Sequence, residues 1–226
     1  MSMGSLLHLL FPPTCLICEA SGLGLCTPCE EKIVRVTVVR DIEQIKFWAG
    51  AYYGDELAQL ILMAKEKNNS LARNYLSQLL LESFMRAIAN LSDPSNAALI
   101  PIPSSHAANR RRGYRHSYLL ARALASRIAK ESSRDVEVIE ALRVNRKIAD
   151  QSNLNREERM QNLSGAYSVR SRHIPRLAHS APESIFLIDD LVTSGSSIRE
   201  GLRALGQLGI SPSGVLAAGV SPRVFS

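Results

Sequence analysis

The stretch that most constrains this chain is residues 185–197, which read Ile-Phe-Leu-Ile-Asp-Asp-Leu-Val-Thr-Ser-Gly-Ser-Ser. Four apolar residues lead into two acids and a small hydroxyl-rich turn, and an amphipathic pattern follows from Ile198 to Leu208. A short apolar run that ends in turn residues and precedes a helical pattern predicts a buried parallel strand entering a helix. We therefore expect an α/β fold with a doubly wound, mostly parallel sheet.

The residues of this turn indicate a phosphorylated sugar as ligand. Ligands of open α/β sheets bind at the carboxyl ends of strands, and the first N–H groups of a helix attract phosphate. The predicted phosphate turn comprises Thr193, Ser194, Gly195, Ser196 and Ser197. Asp189 and Asp190 would repel a phosphate, but they can accept hydrogen bonds from the vicinal hydroxyls of a ribose. A 5-phosphoribosyl group satisfies both requirements.

A purely structural explanation of the same residues remains open. Asp189 and Asp190 can simply end a buried strand, while Ser197 caps the following helix and Glu200 completes a capping box.

A second segment of the chain, which is rich in arginine, is a candidate for binding a pyrophosphate. The apolar run at 97–103 predicts a short strand that its prolines end, and an arginine cluster follows. An arginine fork can grip two phosphate oxygens at once. The candidate anion-binding residues are Ser104, Ser105, Arg111, Arg112 and Gly113. A polar, basic stretch farther on predicts a mobile loop that closes over the site, with Arg146, Lys147 and Gln151 as its candidate residues.

All four cysteines lie in the first 29 residues and form two CxxC pairs, namely Cys15, Cys18, Cys26 and Cys29. Four thiolates can close a tetrahedral Zn²⁺ site, which would be structural because no coordination position stays open. Disulfide bonds and a dithiol redox role are the alternatives. We expect residues 1–46 to form a zinc-finger-like module with a connecting helix, and residues 47–226 to form the main domain.

Charge is distributed unevenly along the chain, whose formal net charge is +6. Residues 106–176 hold sixteen basic and seven acidic side chains, which leaves +9 in this segment. Such asymmetry indicates an anionic partner, although a solvated basic face explains it equally well. No apolar run approaches the roughly 20 residues of a membrane span, so we expect a cytoplasmic protein.

Local patterns also predict the remaining elements. We expect a strand at 47–53, two helices separated at Asn68 and Asn69, a helix around 119–128, and strands at 136–144, 166–169 and 214–220. We also expect a charged helix and connector at 30–46 and a basic connector at 170–182.

The order of these motifs resembles the ComF family of competence-associated proteins, which includes the GntX type. The shared features are two CxxC pairs, a Pro-Ile-Pro-Ser loop, Arg-Arg-Gly-Tyr, and the acid pair with its phosphate turn. The resemblance implies a type I phosphoribosyltransferase fold behind a zinc finger. It also implies binding of phosphoribosyl pyrophosphate (PRPP) with Mg²⁺, and a role in natural transformation or the use of external DNA. Where the family has Arg-Gly-Phe-Asn-Gln, this chain has Arg115 and His116 in place of the amide pair.

Two classes of function follow from these expectations. In the first, the protein is a Mg²⁺-dependent phosphoribosyltransferase, for example in nucleotide salvage. Thr193 stands where relatives that use 6-oxopurines carry an acid, which argues against purine salvage. In the second, the protein binds PRPP, a nucleotide or single-stranded DNA without turnover and works with other DNA-uptake proteins. The aromatic residues available for base stacking near the basic segment are Tyr114, Tyr118 and Tyr167.

Overall fold

The computed structural model describes residues 13–37, 40–91, 96–132, 134–145, 165–179 and 185–222. The strands are β1 (Arg40–Ile42), β2 (Ile45–Tyr52), β3 (Asn96–Pro101), β4 (Asp135–Val138), β5 (Leu142–Val144), β6 (Tyr167–Val169), β7 (Ile185–Val192) and β8 (Gly214–Val220). The helices are α1 (Thr27–Glu30), α2 (Asp55–Glu66), α3 (Ser70–Ile88), α4 (His106–Arg112), α5 (His116–Ser132), α6 (Ile174–His179) and α7 (Ser196–Gly206). The described helices include none that is long and apolar enough to cross a membrane.

The predicted α/β class and mostly parallel sheet are confirmed. Six strands form one sheet in the order β1-β2-β8-β7-β3-β4, in which only the β1–β2 pair is antiparallel. The central strands β7 and β8 are apolar over most of their length because both faces of the sheet are covered. Strands β5 and β6 form a separate antiparallel ribbon.

Side chains of β7 alternate between two hydrophobic clusters. Phe186 and Ile188 belong to the cluster that includes residues of α2, α3 and α5. Ile185 and Leu187 belong to the cluster on the other face, which includes residues of α7 and the ribbon. Because successive strand residues point to opposite faces, the two acids that continue β7 also point to opposite faces.

The connections of β3 and β7 place a crevice between them. The chain leaves β3 toward its neighbour β4, whereas it leaves β7 toward β8 on the other side. The two strands pair in parallel, and Pro101 at the carboxyl end of β3 lies opposite Ile188 in the middle of β7. Divergence of two neighbouring connections defines the topological switch point at which open α/β sheets bind ligands.

Four expectations about local structure need correction. The predicted strand at 136–144 is two strands, because a tight turn in which Ala141 N–H donates to Ile139 O redirects the chain into the ribbon. The connector at 170–182 contains a 3₁₀ turn and α6. The predicted connecting helix stops at Glu30, and residues 34–36 instead lie extended against β2. Strand β7 runs to Val192, so both acids lie within the strand. The predicted mobile loop lies outside the described residues.

The N-terminal segment packs on the main core. Ile33 is buried in the cluster formed with α2 and α3, and Leu16, Ile17 and Leu25 contact the same cluster. The division of the chain near residue 46 therefore stays a prediction, and the described contacts join its two parts through apolar packing.

Candidate functional site

A cleft of about 580 Å³ lies at the carboxyl ends of β3 and β7. It brings together the two segments that the sequence marks as anion-binding, although they are some 80 positions apart in the chain. The predicted residues that line it are Ser104, Ser105, Arg111, Arg112, Asp189, Asp190, Thr193 and Ser197. The switch point of the sheet and the predicted chemistry therefore coincide.

The turn after β7 opens onto the start of α7. Gly195 adopts φ of 74°, a left-handed conformation that favours glycine, and α7 begins at Ser196. Ser194 and Ser196 place their hydroxyl oxygens 2.9 Å apart, and Arg199 Nη1 donates to Ser194 O at 2.7 Å. The N-cap residue of α7 is Gly195, which has no side chain to cap the helix, and Ser196 N–H donates to Ser194 Oγ at 3.4 Å. The first N–H groups of this helix are thus oriented as in a phosphate site.

The capping-box explanation of this region is wrong. Glu200 is buried, and its Oε1 accepts hydrogen bonds from Tyr167 N–H at 2.8 Å and from Arg203 Nη2 at 2.8 Å. Burial by itself would raise the pKa of Glu200, but these two donors outweigh it and lower the pKa. Glu200 therefore fastens α7 to β6 and does not complete a cap.

Asp190 has partners built into the fold. Its carboxylate is 5% exposed, and Oδ2 accepts a hydrogen bond from Lys65 Nζ at 2.9 Å. Nε2 of the fully buried His116 lies 3.2 Å from the same oxygen, in a contact that is poorly aligned for a hydrogen bond. Burial would raise the pKa of Asp190, but Lys65 and His116 outweigh it and hold the pKa well below the ordinary value. Asp190 is therefore ionised.

Asp189 points to the other face and lines both the cleft and the small pocket beneath the turn. Its Oδ1 accepts a hydrogen bond from Asp190 N–H at 2.9 Å. Burial, and then the negative charge of Asp190, raise the pKa of Asp189 well above the ordinary value. The two acids are thus unlike: Asp190 is an ionised group held by the protein, while Asp189 is the acid that faces the ligand space without such a partner among the described residues.

Arginines from α4 form the opposite wall. The side chain of Arg112 is 4% exposed, and its Nε lies 3.5 Å from Glu66 Oε1. Its Nε and Nη1 make no hydrogen bond to any residue that the structure describes. The side chain of Arg111 is 71% exposed and contacts Glu66 as well. A recessed guanidinium with unused donors is suited to a phosphate oxygen.

The other predicted anion-binding residues have backbone roles in the free protein. Ser105 caps α4, because its hydroxyl accepts a hydrogen bond from Ala108 N–H at 3.2 Å. Gly113 ends α4 in a left-handed conformation with φ of 76° and is not among the residues lining the described cleft. Ser104 lies in the lining.

Lys65 belongs to this site although sequence reasoning did not assign it there. The sequence named His116 only as a basic residue beside the arginine cluster and Tyr167 only as an aromatic residue available for base stacking. Lys65 had a detectable signal, since it follows Ile61 by four residues and continues the buried stripe of α2. A lysine on a core-facing stripe requires an anionic partner. Tyr167 is buried in the cleft wall near Ser197, and burial raises the pKa of its hydroxyl. His116 carried no usable signal, because its partner lies on a distant strand.

The cysteines form a candidate metal centre. Their four Sγ atoms lie within 4.8 Å of one another, and all four are free thiols. Ile17 N–H and Cys26 N–H donate to Cys15 Sγ at 3.5 Å and 3.4 Å. Burial would raise the pKa of Cys15, but backbone donors lower it to about 6, whereas burial and neighbouring thiols raise the pKa of Cys29 to about 12. Thiolates around one Zn²⁺ lie roughly 3.8 Å apart, so this cluster could hold a metal such as zinc.

No protein-family model matches this chain, and no curated protein matches it. The residues that line the cleft are therefore the evidence for its function. They include Thr193 and Ser197 at the start of α7, the acids Asp189 and Asp190, and the recessed Arg112.

Proposed function

We propose that the cleft binds PRPP and that the protein is a ComF-type, phosphoribosyltransferase-like protein acting in DNA uptake or the use of external DNA. One observation carries the proposal: Thr193 and Ser197 of the turn share a single cleft with Asp189 and Arg112 at the switch point of the sheet. The cleft volume of about 580 Å³ lies within the range of small-molecule sites. The order of the motifs along the chain supports the ComF assignment.

Each part of PRPP has a matching surface in this arrangement. The 5′-phosphate fits the first N–H groups of α7, with the hydroxyls of Thr193 and Ser197 beside them. Asp189 is placed to accept hydrogen bonds from the ribose hydroxyls. The pyrophosphate fits the recessed side chain of Arg112 and the exposed side chain of Arg111.

Mg²⁺ fits this site only together with the ligand. Among the described residues, only the cysteines form a group of three or more side chains that could hold a metal ion. Asp189 and Asp190 both line the cleft, but Asp190 is already paired with Lys65. Asp189 is therefore the carboxylate that would contact Mg²⁺, and most of the oxygen ligands of the ion would come from PRPP and water. When bound, Mg²⁺ would offset the charge of the pyrophosphate as it leaves C1 of the ribose.

Single-stranded DNA is the second candidate ligand, and the basic segment 106–176 favours it. The three tyrosines that the sequence marks near this segment are poorly placed for base stacking, however. Tyr114 uses its hydroxyl to contact α2, Tyr118 lies 4.6 Å beneath the guanidinium of Arg115, and Tyr167 is buried. A strand would therefore have to bind through exposed arginines such as Arg111. Replacing Arg111 and Arg112 by Ala should then weaken DNA binding and flatten its salt dependence.

The test is a calorimetric titration of PRPP with Mg²⁺ into the zinc-loaded protein. We expect saturable binding by the wild type and a loss of roughly tenfold or more in Asp189→Asn, because a charged hydrogen-bond acceptor is removed. Asp135→Asn is the matched control, since Asp135 is exposed at the amino end of β4, away from the cleft. A folded wild type that does not bind PRPP would rule the proposal out. Release of pyrophosphate with added acceptor bases would separate an enzyme from a binding protein.

A further inference from the structure

We propose that Lys65 is a ligand-binding residue of this cleft, positioned by Asp190, and that it shares the pyrophosphate group with Arg112. The inference rests on the proposed function, because it names the side chain that recognises one part of that ligand. The sequence motifs around 104–113 and 185–197 do not include Lys65, which lies on α2.

Lys65 stands at the boundary between the core and the cleft. Its Nζ donates to Asp190 Oδ2 at 2.9 Å, yet 36% of the side chain stays exposed and the residue lines the cleft. An ammonium group carries three donors, and the hydrogen bonds within the described residues use one of them. Two donors remain for a ligand.

Lys65 and Arg112 line the same cleft, and their positive charges interact. Asp190 raises the pKa of Lys65 above its usual value, while burial and the positive charge of Arg112 act in the opposite direction. The two cations therefore repel each other in the free protein. An anion with several negative charges, placed between the two cations, would offset this repulsion. Pyrophosphate carries more negative charge than a single phosphate group and would offset it better.

The backbone around Lys65 is fixed to the turn that follows α4. The hydroxyl of Tyr114 donates to Lys65 O at 2.6 Å and accepts from Asn68 N–H at 2.9 Å. Arg112 lies two residues before Tyr114, so the end of α2 and the arginines of α4 form one connected unit. Such fixed geometry reduces the entropy lost on binding.

A different role for Lys65 would be to neutralise Asp190 and nothing more. Three variants separate the two roles: Lys65→Met, the double variant Lys65→Met/Asp190→Asn, and Lys67→Met as a control at an exposed lysine two residues away. In the double variant both charges of the ion pair are gone, so no unpaired carboxylate is left buried. Each protein is titrated separately with inorganic pyrophosphate and with ribose 5-phosphate, in the presence of Mg²⁺, and its thermal unfolding is recorded.

We expect Lys65→Met to lose roughly tenfold to a hundredfold in pyrophosphate affinity, as for loss of a charged hydrogen bond. Ribose 5-phosphate affinity should change by less than about threefold, because its phosphate binds at α7. The double variant should stay as weak for pyrophosphate as the single one, and Lys67→Met should match the wild type. Recovery of pyrophosphate binding in the double variant, or equal losses for both ligands, would overturn the assignment.

The two proposals fail in different ways. If the wild type binds ribose 5-phosphate and PRPP but Lys65→Met binds pyrophosphate normally, the role of Lys65 is wrong and the phosphoribosyl site stands. If the wild type binds pyrophosphate through Lys65 but neither ribose 5-phosphate nor PRPP, the phosphoribosyl function is wrong and the role of Lys65 stands. A wild type that binds none of the three ligands would overturn both.

Discussion

The cysteine cluster brings four thiols together and the acid pair of β7 brings two carboxyl groups together, but the two regions differ in what offsets the repulsion between their negative charges. Asp190 has Lys65 at 2.9 Å, so the fold supplies its counterion, and Nε2 of the His116 ring lies 3.2 Å from the same oxygen. The contacts to Cys15 come from the neutral N–H groups of Ile17 and Cys26. Neutral donors stabilise one thiolate but not four.

This difference separates a preformed site from one that depends on a metal. The acid pair is expected to keep its geometry in the free protein, because Asp190 is neutralised internally and Asp189 holds its proton to a higher pH than usual. The cysteine cluster is expected to keep its geometry only with a cation, since four thiolates without one repel each other. Four variants or treatments test this contrast, in order of decreasing effect.

Removing the metal should have the largest effect. We expect one Zn²⁺ per chain, and we expect Cys29→Ser or strong chelation to cost roughly 5 kcal/mol or more of stability, because metal binding contributes directly to folding. Ile33 and its neighbours pack on the main core, so the loss should lower the melting temperature of the whole chain. Metal analysis and thermal unfolding provide the measurement. Ser21→Ala, an exposed change in the same segment, is the control, and an unchanged melting temperature after complete metal removal would break the comparison.

Lys65→Met should have the next largest effect, a decrease of about 2 kcal/mol in the free energy of unfolding. The value lies below that of fully buried pairs because Lys65 is 36% exposed. The folded-state pKa of Asp190 is lowered from 3.8, so the ion pair stabilises the protein above about pH 4 and this contribution is lost as the pH falls. Urea unfolding from about pH 2 to about pH 8 should show the gap in unfolding free energy between wild type and variant narrowing below about pH 4. A gap that widens toward acid would contradict internal neutralisation.

Asp189→Asn should increase the free energy of unfolding at pH 7 by roughly 1 kcal/mol, whereas Lys65→Met decreases it. The folded-state pKa of Asp189 is raised above 3.8, so the wild type loses stability as the pH rises from about 4 through that folded pKa. The Asn variant has no proton to lose there. It should therefore be the more stable protein at pH 7, with the advantage disappearing near pH 4, in the same urea series. Equal stability at all pH values would mean that Asp189 is not strained by its neighbour.

Gly195→Ala should lower the stability by a similarly small amount, about 1 kcal/mol, because Gly195 adopts a left-handed φ of 74°. The added Cβ would also approach Arg199 Nη1 to 3.2 Å, so the end of the Arg199 side chain must move slightly. Gly206→Ala is the matched control, because its Cβ meets no atom within 4 Å at the end of the same helix. Ribose 5-phosphate titration and thermal unfolding should separate the two variants. Equal ligand affinity in both would show that the phosphate does not depend on the backbone of this turn.

Local patterns predicted much of the fold. The apolar run at 214–220 is β8 with the predicted bounds, and the paired asparagines at 68 and 69 separate α2 from α3. These elements could be predicted from the sequence because apolar periodicity and turn chemistry act over a few neighbouring residues. The same is true of the CxxC pairs, whose short spacing already brings each pair together. The split of 136–144 was missed because both halves have strand character, and only a turn between two sheets separates them.

The site divides in a similar way. By itself, the sequence determined the chemical content of the phosphate turn and of the arginine cluster, because each lies in one short segment. Only the tertiary structure decided that they face one cleft, that Glu200 binds Tyr167 N–H and does not cap α7, and that the two acids are unlike. Lys65 and Asp190 are 125 residues apart. Electrostatic interactions depend on distance in space, and a contact between positions so far apart in the chain leaves no periodic signal in the sequence.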